Sequence, residues 1–288
     1  AKRWIAENLK VDPFDYVSGY EAILLADDAE KTAKEQALKG QMRNFPQNFI
    51  QAAIDYRESG CFEEAFGILN LCDAQWPMLD YYRAACLYDL GREEEARAAV
   101  KTADGVDPYC CFPNRLEDIT VLQMAAKLQP ELPKAYYYIG NLWYDKRQYE
   151  EAQEAWETSA KLDDTYPTVL RNLSLVYYNQ SDMPEKAKEV LEKAFALDTA
   201  DARIFLELDQ LYKKLGYSVE DRIAFYEKYP ETFAKRDDVF IEYITMQNYV
   251  GNHEKAYELL MSRKFHPWEG GEGKATTQYT ISLVEQAK

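Results

Sequence analysis

The stretch PKAYYYIGNLWYDKRQYEEAQEAWETSAKLDD, Pro133 to Asp164, contains two apolar patterns joined by a short polar segment. In each pattern large apolar residues recur every three or four positions, which is the spacing of one face of an α-helix. Gly140 and Ala152 are small enough to let two helix backbones approach. Trp143 and Trp156 are large enough to fill the space that remains. The stretch therefore predicts a pair of amphipathic helices packed against each other.

The same offsets recur in register along the chain, with a period of about 34 residues. Prolines or acidic residues open most of the units, as is usual at helix starts. In one unit, within DGVDPYCCFPNRLEDITVLQMAAKLQP (Asp104 to Pro130), a loop with proline and cysteine replaces the first helix. The predicted repeat array covers residues 1–266, with units near residues 14–45, 46–76, 77–112, 113–132 (partial), 133–166, 167–201, 202–236 and 237–266.

These offsets resemble those of the tetratricopeptide repeat (TPR). The resemblance implies an all-α fold, a right-handed α-α superhelix of the TPR-solenoid type, in which stacked helix pairs bury one continuous core. The first helices of the pairs would line a concave face, and the second helices the outside.

Three segments, RKFHPWEGGEGK, PYCCFPNRLEDITVL and YYYIGNLWYDKRQYEEA, are similar to the repeat region of large bacterial proteins. In those proteins a domain of unknown function precedes the repeats. The similarity implies that this chain is the repeat-bearing part of a larger bacterial protein, with an association to carbohydrate metabolism. The N-terminal stretch RWIAENLKVDP looks like a second helix without its first, which favours a fragment of a longer array.

The segment HPWEGGEGKATTQY, residues 266–279, raises the question of a phosphate-binding loop. Such a loop has the pattern G-x-x-x-x-G-K-[ST] between a strand and a helix. Here the first position of the pattern is Trp268, Lys274 is followed by Ala275, and the preceding segment is helical. The nucleotide interpretation fails on all three points. We expect a glycine turn and a C-terminal packing helix at residues 267–288, with Trp268 against the last repeat and with Gly270, Gly271 and Gly273 permitting positive φ.

The formal net charge of −16 argues against nucleic acid and anionic membranes as partners, because both are bound through Lys and Arg. No apolar run reaches the ~20 residues that span a bilayer, so membrane insertion is not expected. Five cysteines without a C-x-x-C pair and only two histidines predict no zinc site. The odd number of cysteines favours a reducing compartment, and we expect a cytoplasmic protein.

The sequence contains neither a G-x-S-x-G nor an H-E-x-x-H motif, and its histidines are not clustered. Paired acidic residues stand at predicted helix starts or turns, where they complement the helix dipole. We therefore expect a protein that is not an enzyme, with no catalytic residues, no metal and no cofactor.

The TPR resemblance implies a ligand groove lined by positions 2, 5, 6, 9, 12 and 13 of each first helix. Some family members clamp a peptide carboxylate with five side chains at such positions. Asn141, Asn172 and Arg203 fit three of the five places, whereas Glu207 would repel a carboxylate. Asparagines could also bind a peptide backbone or simply brace helix packing, and groove tyrosines could be core residues. The predicted partner-binding groove consists of Tyr137, Asn141, Tyr144, Arg171, Asn172, Tyr178 and Arg203.

The loop YCCFPNR allows two interpretations. Its residues Tyr109, Phe112 and Arg115 could line a secondary pocket, or the loop could be a plug over the gap left by the missing helix.

Three functions remain open on the sequence. The first is a non-catalytic protein-interaction scaffold that binds a peptide or partner protein in the concave face. The second is an accessory module of a carbohydrate-related protein, with aromatic side chains stacked on sugars. The third is a structural spacer or an element of a homodimer. Peptide recognition predicts that groove asparagines matter, and sugar recognition predicts that exposed aromatic and acidic residues matter together.

Overall fold

The computed structural model describes residues 1–268 and 270–288. All regular elements of these residues are helices, so the predicted all-α fold class is confirmed. The chain divides into two compact units, unit 1 (Ala1–Leu162) and unit 2 (Asp163–Lys288).

Unit 1 is built from helix pairs in which consecutive helices pack against each other. Proline at the first helical position begins α4, α6 and α9 as named below, because its fixed φ suits that position and its missing N–H is not needed there. The helices are α1 (Lys2–Val11), α2 (Tyr16–Leu24), α3 (Asp28–Gln41), α4 (Pro46–Glu58), α5 (Phe62–Asn70), α6 (Pro77–Asp89), α7 (Glu93–Gly105), α8 (Leu116–Leu128), α9 (Pro133–Asp145) and α10 (Tyr149–Leu162).

Unit 2 repeats this arrangement and ends with one additional helix that packs on the last pair. Its helices are α11 (Pro167–Asn179), α12 (Pro184–Leu197), α13 (Ala202–Lys214), α14 (Val219–Lys228), α15 (Pro230–Phe233), α16 (Asp237–Tyr249), α17 (His253–Met261) and α18 (Lys274–Gln286). In both units the first helices of the pairs are α4, α6, α9, α11, α13 and α16.

The α9–α10 pair shows how the repeat pattern becomes packing. A Cβ atom at Gly140 would lie 2.4 Å from Cδ1 and Nε1 of Trp156, so only glycine leaves room for the indole. Trp156 is buried, and its Nε1 donates to the Tyr137 carbonyl oxygen at 3.2 Å and to Asn141 Oδ1 at 3.1 Å. Trp143 is only half-buried. The expectation that both tryptophans fill the interhelical space is therefore right for Trp156 alone.

Helix α8 and the loop before it, residues 106–115, form a cover over one face of α6, which we call the α6 cover. Ten of the 13 residues of α6 are buried, and the helix packs against α4, α5, α7 and α8. Within the cover, Cys111 is 1% exposed and Asp118 is 2% exposed. Asp118 accepts a hydrogen bond from the Tyr82 hydroxyl at 2.7 Å and also from the backbone N–H groups of Asn114 and Arg115. A single carboxylate thus caps α8 and ties the cover to α6.

The core of unit 2 includes a buried ion pair between α13 and α14. Arg222 donates two hydrogen bonds to Asp209, at 2.8 and 2.7 Å, and these side chains are 4% and 1% exposed. The Tyr226 hydroxyl donates to the same carboxylate at 2.9 Å, and Arg222 also reaches Glu242 on α16. Burial and the adjacent Asp209 carboxylate raise the pKa of Tyr226, which therefore stays a neutral donor. Because each polar group has a partner, the network joins three helices without an unpaired buried charge.

The glycine turn before α18 uses the permitted positive φ at two of its three glycines. Gly270 and Gly273 have positive φ, 71° and 74°, as expected. Gly271 does not, and its lack of a side chain has another cause: a Cβ there would lie 2.2 Å from Trp268 Cε2. Trp268 thus packs on the turn itself. Glu269 lies outside the described residues.

Candidate functional site

Unit 2 contains a pocket between its first helices α11 and α13. The pocket volume is about 70 Å³, small enough for a single side chain or backbone segment. Its lining combines apolar, amide, aromatic and charged groups on the face predicted to bind a partner. The lining includes Arg171, Leu175, Tyr178, Glu207, Gln210 and Lys214.

The pocket wall is fixed by a bidentate ion pair. Arg171 donates from Nε and Nη2 to the two carboxylate oxygens of Glu207, both at 2.5 Å. These two side chains are only 16% and 19% exposed. Arg203 also donates to Glu207 at 3.4 Å and is itself exposed. Glu207, which the sequence analysis regarded as repulsive to a carboxylate, is therefore neutralised, and Arg203 adds a further positive charge.

The pocket lining also includes an aromatic ring with a cation over it. Lys214 Nζ lies 4.7 Å from the ring centroid of Tyr178, within cation–π range. Gln210 and Asn179 line the same pocket and are exposed. With the Arg171–Glu207 pair balanced, Arg203 and Lys214 leave this part of an acidic chain positively charged.

The structure brings together the predicted groove residues of unit 2. Arg171 and Tyr178 line the pocket, and Arg203 is linked to it through Glu207. Arg171 Nη1 lies 3.4 Å from Asn172 Oδ1, which places Asn172 beside the same ion pair. The sequence analysis missed Lys214, although it occupies position 13 of its helix and the periodic pattern could have found it.

In unit 1 the predicted groove residues of α9 serve mainly in packing. Tyr137 is 4% exposed, so its assignment to a ligand-contacting surface is wrong. Asn141 Oδ1 accepts from Trp156, as the bracing interpretation predicted. The Tyr144 ring packs on Tyr149 at 5.2 Å and on Trp156 at 5.4 Å and remains half-buried. Asn141 and Tyr144 thus stabilise the helix pair, whatever further contacts they make.

The predicted secondary pocket of the YCCFPNR loop is also corrected. Tyr109 is 80% exposed and Phe112 is 67% exposed, so neither side chain closes a cavity. Arg115 instead donates to Gln47 Oε1 on α4 at 2.5 Å. Cys111 and Pro113, which were not selected from the sequence, are the buried residues of this loop. These positions support the plug interpretation, because the loop covers α6 and leaves its aromatic residues outside.

Unit 1 has a different pocket, of about 490 Å³, between the C-terminal half of α4 and the start of α8. We call it the α4–α8 pocket. The sequence analysis did not propose it, although Ile54 and Glu58 stand at positions 9 and 13 of a first helix. Its lining consists of Ile54, Phe62 and Leu116 as apolar groups, Arg57, Glu58, Asp89 and Glu117 as charged groups, and Thr120.

Residues 1–268 and 270–288 contain neither a membrane-spanning helix nor a metal-binding cluster. No helix in these ranges is long and apolar enough to cross a membrane. In the same ranges, no group of three or more His, Cys, Asp and Glu side chains is arranged to hold a metal ion.

Comparison with protein families identifies the repeat that the geometry suggests. The model of the tetratricopeptide repeat matches residues 133–166, which form the α9–α10 pair. This chain contains a tetratricopeptide repeat. The repeat begins at the Pro133 start of α9 and includes the Gly140–Trp156 contact, so the packing described above is that of a TPR helix pair.

Several solved structures resemble this chain at low sequence identity. The C-terminal part of a TPR repeat-containing protein from Cytophaga hutchinsonii is 17% identical, with a TM-score of 0.48, over 92% of this chain and 99% of that one. The protein pilF of Pseudomonas aeruginosa is 19% identical, with a TM-score of 0.43, over 83% and 97%. YrrB, described as a TPR protein with an unusual peptide-binding site, is 18% identical, with a TM-score of 0.41, over 74% and 92%. At these scores the similarities assign no role to any residue of this chain.

Proposed function

We propose that the chain is a non-catalytic protein-interaction scaffold that binds a peptide or a segment of a partner protein on its first-helix face. The observation that carries the proposal is the α11–α13 pocket of unit 2. There a fixed ion pair, an aromatic ring and exposed amides occupy the positions that face a ligand in TPR domains. A helix-lined groove of this kind suits an extended or helical segment.

The chemistry of the pocket suits a peptide that carries an acidic group. Arg203 and Lys214 supply positive charge at the rim, and the Arg171–Glu207 pair holds the wall rigid without adding net charge. The exposed amide of Gln210 can donate to and accept from a peptide backbone. Prearranged side chains of this type lose little conformational freedom on binding, which favours affinity.

The test is selection from a displayed library of random peptides against the full chain, followed by affinity measurement of the selected peptides. In the wild-type protein we expect a recurring sequence with an acidic residue. In the double variant Arg203→Gln/Lys214→Gln, affinity should fall about tenfold or more, because two charge-assisted contacts of ~1 kcal/mol each are removed.

The matched control is Lys127→Gln/Lys264→Gln, which makes the same change in net charge at two exposed positions. We expect this variant to bind like the wild type. Selection of no recurring sequence, or an equal loss in both double variants, would refute peptide binding at this pocket.

A further inference from the structure

The α4–α8 pocket of unit 1 differs from the unit 2 pocket in size and charge. Its volume of about 490 Å³ is within the ~300–1,000 Å³ that is usual for ligand pockets. Ile54 and Phe62 form apolar wall, and Leu116 at the start of α8 is 66% exposed. The exposed Leu116 side chain therefore extends the apolar wall of Ile54 and Phe62 to a surface that a partner segment can reach.

The charges of this pocket are predominantly negative. Arg57 donates from Nε to Asp89 Oδ2 at 2.6 Å, so these two lining residues balance each other. The other two charged lining residues are Glu58 and Glu117. Among the described residues, no Lys, Arg or His nitrogen lies within 4.0 Å of either carboxylate. The pocket therefore has a net charge of about −2 from its side chains.

Helix polarity strengthens this negative potential. Glu58 and Asp89 are the last residues of α4 and α6, so two helix C-termini with partial negative charge face the pocket. An acidic residue is unfavourable at a helix C-terminus, and Arg57, the basic residue in the last turn of α4, is already paired with Asp89. Glu117 is not needed to cap α8, because the neighbouring Asp118 already accepts the N-terminal backbone hydrogen bonds. A bound cationic group would form ion pairs with both carboxylates and offset their negative charge.

We propose that the α4–α8 pocket binds a partner segment in which lysine or arginine stands beside a large apolar side chain. The apolar side chain would pack between Ile54, Phe62 and Leu116, and the cation would pair with Glu58 and Glu117. This inference rests on the proposed scaffold function and specifies the class of partner for unit 1. The α4–α8 pocket is thus expected to bind a positively charged peptide, whereas the α11–α13 pocket is expected to bind a negatively charged one.

The experiment uses fluorescence polarisation with three labelled peptides and the full chain carrying Arg203→Gln/Lys214→Gln, so that the positively charged α11–α13 pocket does not bind the acidic peptide; the variants below are made in this background. The first peptide is four repeats of Lys-Leu-Ser, the second four repeats of Glu-Leu-Ser, and the third four repeats of Lys-Ser-Ser. Only the first combines positive charge with apolar side chains, and we expect it to bind at least tenfold more tightly than the other two. Its affinity should fall with increasing salt, because the contacts include ion pairs.

Two variants locate the binding. Glu58→Gln/Glu117→Gln keeps the shape of both side chains and should weaken binding of the Lys-Leu-Ser peptide about tenfold. Leu116→Asn should weaken it several-fold without a change in charge. Glu94→Gln/Glu150→Gln changes the net charge equally at exposed positions of unit 1 and should leave binding unchanged. Circular dichroism of each variant verifies the fold.

Three outcomes overturn the proposal: equal binding of the Lys-Leu-Ser and Lys-Ser-Ser peptides, equal binding of the acidic peptide, or an equal loss in the Glu94/Glu150 control. Failure here is distinguishable from failure of the scaffold function. Suppose that displayed peptides are selected by the wild-type chain, and that only the Arg203→Gln/Lys214→Gln variant loses affinity for them. The scaffold function then stands, and this inference is wrong.

Discussion

Replacement of Gly140 by alanine tests the packing of the TPR helix pair. In an exposed helix, Gly→Ala stabilises by up to ~1 kcal/mol through helix propensity. At Gly140 the new methyl group would lie 2.4 Å from Trp156 Cδ1, so the indole has to move. Overpacking of a core costs ~1–3 kcal/mol, and loss of the indole hydrogen bonds to Tyr137 and Asn141 leaves a buried donor unpaired at ~1–3 kcal/mol. We expect a net loss of ~2–4 kcal/mol.

Equilibrium urea unfolding, followed by far-UV circular dichroism and tryptophan fluorescence, measures this loss. With a typical slope of ~2 kcal/mol per M, the midpoint for unit 1 should fall by ~1–2 M. The matched control is Gly40→Ala in α3, where a Cβ atom would meet nothing within 4 Å. That variant should be as stable as the wild type or slightly more stable.

A double-mutant cycle tests the cause. In a Trp156→Leu background the indole is absent, so Gly140→Ala should cost less than ~1 kcal/mol. The reasoning is refuted if Gly140→Ala behaves like Gly40→Ala, or if its cost is the same with and without the indole.

Three further predictions concern buried groups. Asp209→Ala should destabilise unit 2 by ~3–5 kcal/mol in urea unfolding, because Arg222 is left as an unpaired buried charge, whereas Asp209→Leu/Arg222→Met should cost clearly less. Burial opposes ionisation of Glu242, but the hydrogen bonds and positive charges of Arg222 and Lys213 together outweigh it and lower the pKa of Glu242 below its usual 4.5. The ionised Glu242 therefore stabilises the folded state fully above about pH 4.5, and this stabilisation is lost as the pH falls through the lower pKa of the folded state. Glu242→Gln should lower the free energy of unfolding by ~1–2 kcal/mol at pH 7 and by less at pH 3. An equal loss at both pH values would contradict this. Burial raises the pKa of the Cys111 thiol to about 11, while Cys110 is exposed. Iodoacetamide at pH 8 should modify Cys110 at least ~100-fold faster by mass spectrometry, and similar rates would show that Cys111 is accessible.

Periodicity was sufficient to predict the helix pairs but not which side chains face inward. Gly140 indicated a close helix contact, yet the pattern could not tell whether Trp143 or Trp156 occupies it, because both lie at core spacing. Tyr137 was assigned to the groove from its position number, although its burial depends on neighbouring elements that the position number ignores.

The α6 cover marks a second limit of sequence analysis. The missing first helix was visible as a gap in the pattern, but the contact of α8 with α6 was not. One sequence signal did indicate that α6 is covered. Met78, Tyr81 and Tyr82 make α6 apolar on the face that a regular first helix exposes to solvent. In the structure all three side chains are buried. In the α11–α13 pocket, Glu207 was identified correctly as acidic, while its neutralisation by Arg171 required knowledge of the distance between adjacent first helices.

The α6 cover also has a consequence for how unit 1 folds. An array of repeats can assemble and dissociate one pair at a time, since each pair contacts only its neighbours. Here the Tyr82 hydroxyl of α6 bonds Asp118, 36 residues further along the chain, and the α6–α7 pair leaves an apolar face bare until that segment arrives. Residues 77–128 are therefore expected to form and melt as one cooperative block, which prevents stepwise unzipping at this point of the array.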